Sequence, residues 1–291
     1  MIIKLSGLDF SSNNIGSIAA ATDISDFTKS VLSHYTKTLT TAKQRALDTF
    51  LTGMKDSGLW AKTENFFIPI LAGTLEETMY NVKKDQQESA PGADYYELQD
   101  QGLITKRQAS IDTVIPDDQL AQFKVNGSYM NIHYMVNTAP ITWTADAELE
   151  YDKFASWLLS INSSAYKGIT MAEGASNNRW NLILHGNPQR YVNPMTYPTK
   201  VETFEGTAIV TGRTDKDQGI LNNILGGMNY AETEDITMTD VPTYVGTNHI
   251  KLERCHLAPM RVFATGTALS DEELKQYTTL CNNFVAAFNA E

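Results

Sequence analysis

Three carboxylates stand at alternate positions in Asp146-Ala147-Glu148-Leu149-Glu150. On a strand, a period of two sets all three on one face. That is the arrangement from which a pair of carboxyl groups can cleave a glycosidic bond, one as acid and the other as nucleophile or base. The same spacing, with Ala and Leu between the acids, also describes a strand whose outer face is solvated, and this is the preferred reading. A catalytic residue is therefore not assigned.

Other chemistry was sought by residue type and spacing. Asp215-x-Asp217-x-Gly219 has the start of a calcium loop without its bidentate Glu, so it reads as a turn. The five histidines, His34, His133, His185, His249 and His256, have no metal-ligand spacing, and His133 and His185 sit in alternating strand patterns as hydrogen-bonded sheet histidines. No nucleophile elbow, phosphate loop or dinucleotide fingerprint occurs, so no metal or cofactor is expected. Cys255 and Cys281 form no framework, and Cys281 falls on an apolar helix face as a buried thiol.

Aromatic side chains could stack on sugar rings. Tyr129, Tyr134, Trp180, Tyr191, Tyr197 and Tyr230 are candidates, whereas Trp60, Trp143 and Trp157 read as core. The run from Asn187 to Pro198 is distinctive: three prolines forbid regular structure, and Arg190, Tyr191 and Tyr197 project from an ordered loop. With Trp180, these residues form the expected contact surface, either to glycan or to a neighbouring subunit. The subunit is the preferred partner, since tyrosine is enriched at protein interfaces.

The elements that would position these residues follow from pattern. Ser270-x-x-Glu273 is a capping box, and Leu274, Tyr277, Cys281, Phe284, Val285 and Phe288 make one apolar face behind it, predicting a helix over 271–288. Thr41-x-x-Gln44 reads as a second box, with Leu47, Phe50, Leu51 and Met54 as the stripe of a helix over 41–57 that Gly58 ends. Between the helices, short alternating runs such as 129–135, 180–185 and 207–211 are separated by turn residues, the texture of a sandwich or barrel. Residues 17–38, rich in Ser and Thr, read as extended. The expected organisation is an N-terminal arm, 1–38, for assembly, and one mainly β domain, 39–291.

With 291 residues, 42% hydrophobic and 20% charged, the chain can build a packed core. A net charge of −11 without a Lys/Arg run argues against nucleic acid. No stretch has the length of a membrane span, and Met1–Leu5 does not read as a signal peptide.

Three segments also occur in a suggestive order. These are Gly58-Leu59-Trp60-Ala61-Lys62 before an apolar strand, then Tyr80-Asn81-Val82-Lys83, and near the end Gly266-x-x-Leu269-Ser270-x-x-Glu273. This order resembles the concanavalin A-like (laminin G-like) jelly-roll proteins of bacteriophage virions, over residues 40–83 and 260–288. Gly206, Gly212-Arg213-Thr214 and a turn at Gly226-Gly227 are similar to that family's middle strand and hairpin. Sandwich-fold glucanases share the jelly roll, but their carboxylate order is not the Asp-x-Glu-x-Glu found here. The resemblance implies a jelly-roll β-sandwich flanked by helices, made in a host bacterial cytoplasm and displayed on a virion as a fibre, spike or decoration subunit. It implies a homo-oligomer that contacts other virion structural proteins, with host surface glycan as a further ligand. It implies binding and not turnover, with a glycan-degrading hydrolase as the last alternative.

Overall fold

A computed structural model describes residues 23–106, 108, 113–128, 131–142, 155–162, 179–185, 203–211, 218–221, 224–227, 237–247 and 256–290. The chain is a mainly β sandwich of two antiparallel sheets with helices near both ends, the architecture expected from the sequence. The large sheet has the order β12-β11-β10-β7-β14-β5-β4, with β1 added to β14. Its strands are β1 (Thr63–Phe67), β4 (Tyr96–Gln99), β5 (Gly102–Thr105), β7 (His133–Thr142), β10 (Thr203–Thr211), β11 (Gln218–Leu221), β12 (Ile224–Gly227) and β14 (Met260–Gly266). The small sheet has the order β6-β13-β8-β9, from β6 (Gln122–Ser128), β8 (Ala155–Asn162), β9 (Arg179–His185) and β13 (Thr237–Val245). A short hairpin of β2 (Tyr80–Asn81) and β3 (Gln86–Gln87) stands apart. From β6 onward the chain passes repeatedly between the two sheets, as a jelly roll does.

Strand pleating divides the apolar residues into two cores. Phe67 of β1 pairs with Phe263 of β14, and their rings stack at 4.6 Å. Both meet Phe123 of β6, at 4.9 Å and 6.2 Å, and this cluster joins the sheets face to face. The next residue back, Phe66, points the other way. It packs on Phe50 of α2 (Thr41–Asp56), which stacks at 4.8 Å on Phe284 of α4 (Asp271–Asn289). The large sheet is thus covered on both faces, and every residue of β14 is buried. A strand buried on both sides shows no alternation in its sequence, as Arg261-Val262-Phe263-Ala264-Thr265 does not.

Both helices match their expected spans to within a residue, and the predicted stripes are buried. The Ser270–Glu273 capping box is present. The other cap lies one residue earlier than expected. Thr40 accepts from the Lys43 amide, and the Gln44 side chain donates back to the Leu39 carbonyl at 3.1 Å. Gly58 takes φ +77° after α2, a left-handed turn that suits glycine. The chain then enters the short helix α3 (Leu59–Lys62), whose end is close enough to β14 that a Cβ on Gly266 would lie 2.0 Å from the Lys62 carbonyl. Gly226 and Gly227, expected in a turn, instead lie in β12 opposite Gly219 and Gln218.

Residues 17–38 were expected to be extended, but Asp26–Leu32 form a helix, α1. Ser25 caps it, and Val31, Tyr35 and Leu39, spaced by four, sink into the helix-side core. Polar bonds tie both ends: Ser25 N–H donates to Asp48 Oδ1 at 3.0 Å, and Thr36 N–H donates to Glu77 Oε2 at 3.1 Å. His34 stacks on Tyr80 at 4.2 Å and lies 3.2 Å from the Asp85 carboxylate, to which Tyr80 also donates.

Candidate functional site

Two of the four strands of the small sheet, β6 and β13, have described side chains. Along β6, Phe123 and Val125 turn inward, leaving Gln122, Lys124 and Asn126 on the other side. Lys124 and Asn126 are exposed. The register holds through Val241↔Val125 and Tyr244↔Gln122 but breaks between Met238 and Val241. Within the break, two residues, Thr239 and Asp240, stand against the single Asn126. This is a β-bulge, which bends a strand and re-aims its side chains. Thr237, Thr239 and Asp240 are all exposed there.

Asp240 takes φ +50°, a left-handed conformation that costs a non-glycine residue roughly 1 kcal/mol. Asn126 stabilises it. Its Oδ1 accepts the Asp240 N–H at 2.8 Å, a group the interrupted ladder leaves over, and its Nδ2 approaches Asp240 Oδ1 at 3.4 Å. The result is an exposed carboxylate held beside an exposed carboxamide. The far end of the face is closed by the 3-10 turn Asp117–Gln119, to whose Asp117 carbonyl Gln122 Nε2 donates at 2.8 Å. Tyr244 shares the outward row with Gln122 yet is only 6% exposed, and burial, aided by the Asp117 charge, pushes its phenol up.

This face presents hydroxyl, amide, ammonium and carboxylate groups. Together they can donate to and accept from a polyol. Among the described residues no three His, Cys, Asp or Glu side chains come together as a metal site.

The sequence-predicted site residues distribute unevenly. Arg190, Tyr191 and Tyr197 lie outside the described residues, as do Tyr129, Tyr230, Asp146, Glu148, Glu150, Asp215, Asp217, His249 and Cys255. Trp180 is on β9, in register with Ile161 and through it with Thr243 and Phe123. Tyr134, a candidate for sugar stacking, is fully buried because β7 is a central strand with both faces covered. His133 is the bonded sheet histidine expected: its Nδ1 lies 2.6 Å from the Thr267 carbonyl, and burial pulls its pKa down to about 4. His256 is also buried, 2.6 Å from Thr138 Oγ1, and is pulled down to about 3. Cys281 is the buried free thiol expected, pushed by burial up to about 12 and so kept protonated.

The segments that carry the family resemblance go into the frame. Asn81, of Tyr80-Asn81-Val82-Lys83, accepts from the amides of Phe66 and Lys83 and donates to Asn65 at 2.9 Å. Asn65 in turn donates to Thr265 and to the Lys124 carbonyl, linking the two sheets. Sequence reasoning passed over Lys124, Asn126 and Asp240 as a site. Two signals were there to read: the alternation of 122–126, and two polar residues between Met238 and Val241 where alternation calls for one.

Comparison with protein-family profiles gives no match, and comparison with curated protein sequences gives none. Among solved structures the chain is similar to the leech intramolecular trans-sialidase, with TM-score 0.30 and 14% identity, covering 54% of this chain and 27% of that one. It is similar to the Ruminococcus gnavus IT-sialidase CBM40, with TM-score 0.33 and 13% identity, covering 54% of this chain and 96% of that one. It is similar to Trypanosoma rangeli sialidase, with TM-score 0.43 and 10% identity, covering 85% of this chain and 40% of that one. The chain therefore spans well under half of the two sialidases. None of these three is a bacteriophage protein, and with TM-scores below 0.5 the likeness carries no conclusion about this chain.

Proposed function

We propose that this chain is a binding module, and that the outer face of its small sheet engages surface glycan. The observation that carries this reading is the Asn126–Asp240 pair. A left-handed non-glycine residue is costly, and such strain is commonly retained where a side chain must be held in place for use. Here the held group is a carboxylate with free acceptor positions, beside an amide with a donor, on an exposed face. Hydroxyl pairs on a sugar ring match that combination. Single sites of this kind are weak and gain strength by repetition in an oligomer.

A glycan array read with the wild-type chain tests it. Asn126→Ala and Asp240→Ala are expected to lose most of the signal while the unfolding midpoint changes little. Retained binding in both moves the site elsewhere. Tyr191→Ala with Tyr197→Ala then asks whether the proline-rich loop carries it.

The second reading places the module on a bacteriophage virion as a fibre, spike or decoration subunit that forms a homo-oligomer. It is favoured by the order of the three resembling segments, of which the first and last meet in space through Lys62 and Glu273. Mass in solution by light scattering tests the oligomer: a closed trimer or larger ring supports it, and a monomer at high concentration counts against it.

A further inference from the structure

We infer that Asn126 is a self-modification site, deamidated through the backbone nitrogen of Gly127, and that the reaction unmakes the bulge contact with Asp240. This chemistry holds whatever the face binds. Asn126-Gly127 is the one Asn-Gly dipeptide in the 291 residues. An asparagine carboxamide is attacked by the backbone nitrogen that follows it, and a side chain on that next residue obstructs the approach. Glycine has none. Both residues are exposed. Gly127 has φ +112°, and a Cβ built on it would meet nothing within 4 Å, so there is room for a ring to close.

The Asp240 N–H activates the carboxamide. It donates to Asn126 Oδ1 at 2.8 Å, and that oxygen takes up negative charge as Cγ becomes tetrahedral. In an extended strand the Gly127 nitrogen points away from Cγ, so the end of β6 must open first. Past the bulge, β6 is joined to β13 by Gly127↔Met238 and Ser128↔Thr237, a terminal stretch that the register break separates from the longer ladder. Such ends fray while the rest stays closed.

The step balances with water as its co-reactant. Hydroxide takes the Gly127 proton, and the nitrogen forms a bond to Cγ. The Cγ–Nδ2 bond breaks, and Nδ2 takes a proton from water and leaves as ammonia. Water then opens the cyclic imide, and nothing is oxidised. Opening at one carbonyl gives aspartate. Its second oxygen stands where Nδ2 approached Asp240 Oδ1 at 3.4 Å, so two acceptors face each other. Opening at the other carbonyl gives isoaspartate. Cγ and Oδ1 become main chain, β6 gains a carbon, and Oδ1 is drawn away from the Asp240 N–H.

The experiment ages the full chain at mildly alkaline pH and maps it by tandem mass spectrometry. Asn126 is expected to be the first asparagine to exchange its amide nitrogen for oxygen, as a mixture of aspartate and isoaspartate. Asn126→Gln, whose extra methylene disfavours ring closure, should stay unmodified at that position. In the purified isoaspartate fraction, hydrogen exchange at the Asp240 amide should be about two- to ten-fold faster than in fresh protein, the worth of one hydrogen bond. Another asparagine reacting sooner, or no reaction at Asn126, overturns the assignment. An isoaspartate fraction whose Asp240 amide exchanges as in fresh protein overturns the link to the bulge.

Discussion

The ammonium of Lys62 lies 2.7 Å from the carboxylate of Glu273, a residue 211 positions further along the chain. The same Glu273 oxygen accepts the Ser270 N–H at 2.8 Å and so completes the cap of α4. One residue on from Lys62, Thr63 pairs with Gly266, and the Lys62 carbonyl accepts the Thr267 N–H at 2.8 Å. Two segments far apart in sequence thus form one clasp.

The clasp has a measurable strength. Burial pushes the Glu273 carboxyl up, but Lys62 and the Ser270 cap outweigh it and leave the group below its ordinary value. Its contribution to stability is present above the usual carboxylate range and lost as pH falls through that lowered value. Lys62→Met and Glu273→Gln, each measured by urea unfolding and combined in a double-mutant cycle, should show a coupling of about 0.5–1 kcal/mol, as for a half-exposed ion pair. Gln at 273 can keep the capping box, so the cycle isolates the charge. A coupling of zero would make the 2.7 Å contact an incidental one.

The segment from Ser25 to Leu39 should behave as part of the domain and not as a detachable arm. Its Val31, Tyr35 and Leu39 are buried in the core cluster. Burying a large apolar side chain is worth roughly 1.5–3 kcal/mol. Removing residues 1–38 should therefore lower stability by several kcal/mol, whereas removing residues 1–22 should leave the contacts of α1 in place. Thermal unfolding of the two truncations against the full chain decides this, and equal midpoints would show that α1 contributes nothing.

Acid should destabilise the fold well before the carboxylates titrate. His133 and His256 are buried and neutral, with pKa values pulled down by burial to about 4 and about 3. In the unfolded chain both return to roughly 6.5. Stability from these two groups is complete above that value and falls as pH drops toward 4, because the unfolded chain takes up two protons that the folded one refuses. The loss between pH 7.5 and 5.5 should be on the order of 2–3 kcal/mol. Urea midpoints across this range measure it, and His256→Gln, if folded, should roughly halve the slope. A flat profile would mean that water reaches both rings.

Legibility in the sequence followed exposure to water. Helices α2 and α4 each have one wet face, so their stripes and caps stand out, and the Ser270 box is where the sequence places it. The cap of α2 was misplaced by one because Thr40 and Thr41 are the same residue type, and only geometry shows that Thr40 faces the Lys43 amide. Helix α1 was missed because seven residues give too little periodicity to read. Tyr134 was misread because alternation suggests a wet face, while β7 lies under helices on one side and the small sheet on the other. The site was hardest to find. Asn126 and Asp240 lie 114 positions apart, and a bulge shows in sequence only as a fault in alternation.

Strand β1 has its large-sheet partner in β14, two hundred residues later. A ribosome adds about 5–20 residues per second, so the Phe66-Phe67 strand waits on the order of ten to forty seconds for its neighbour to be made. During that time its β14 edge is open and its Phe67 lacks Phe263, while Phe50 and Trp60, already made, can cover Phe66. The domain must therefore close late and nearly all at once, and a nascent chain stalled short of β14 should be prone to aggregate or to need a chaperone.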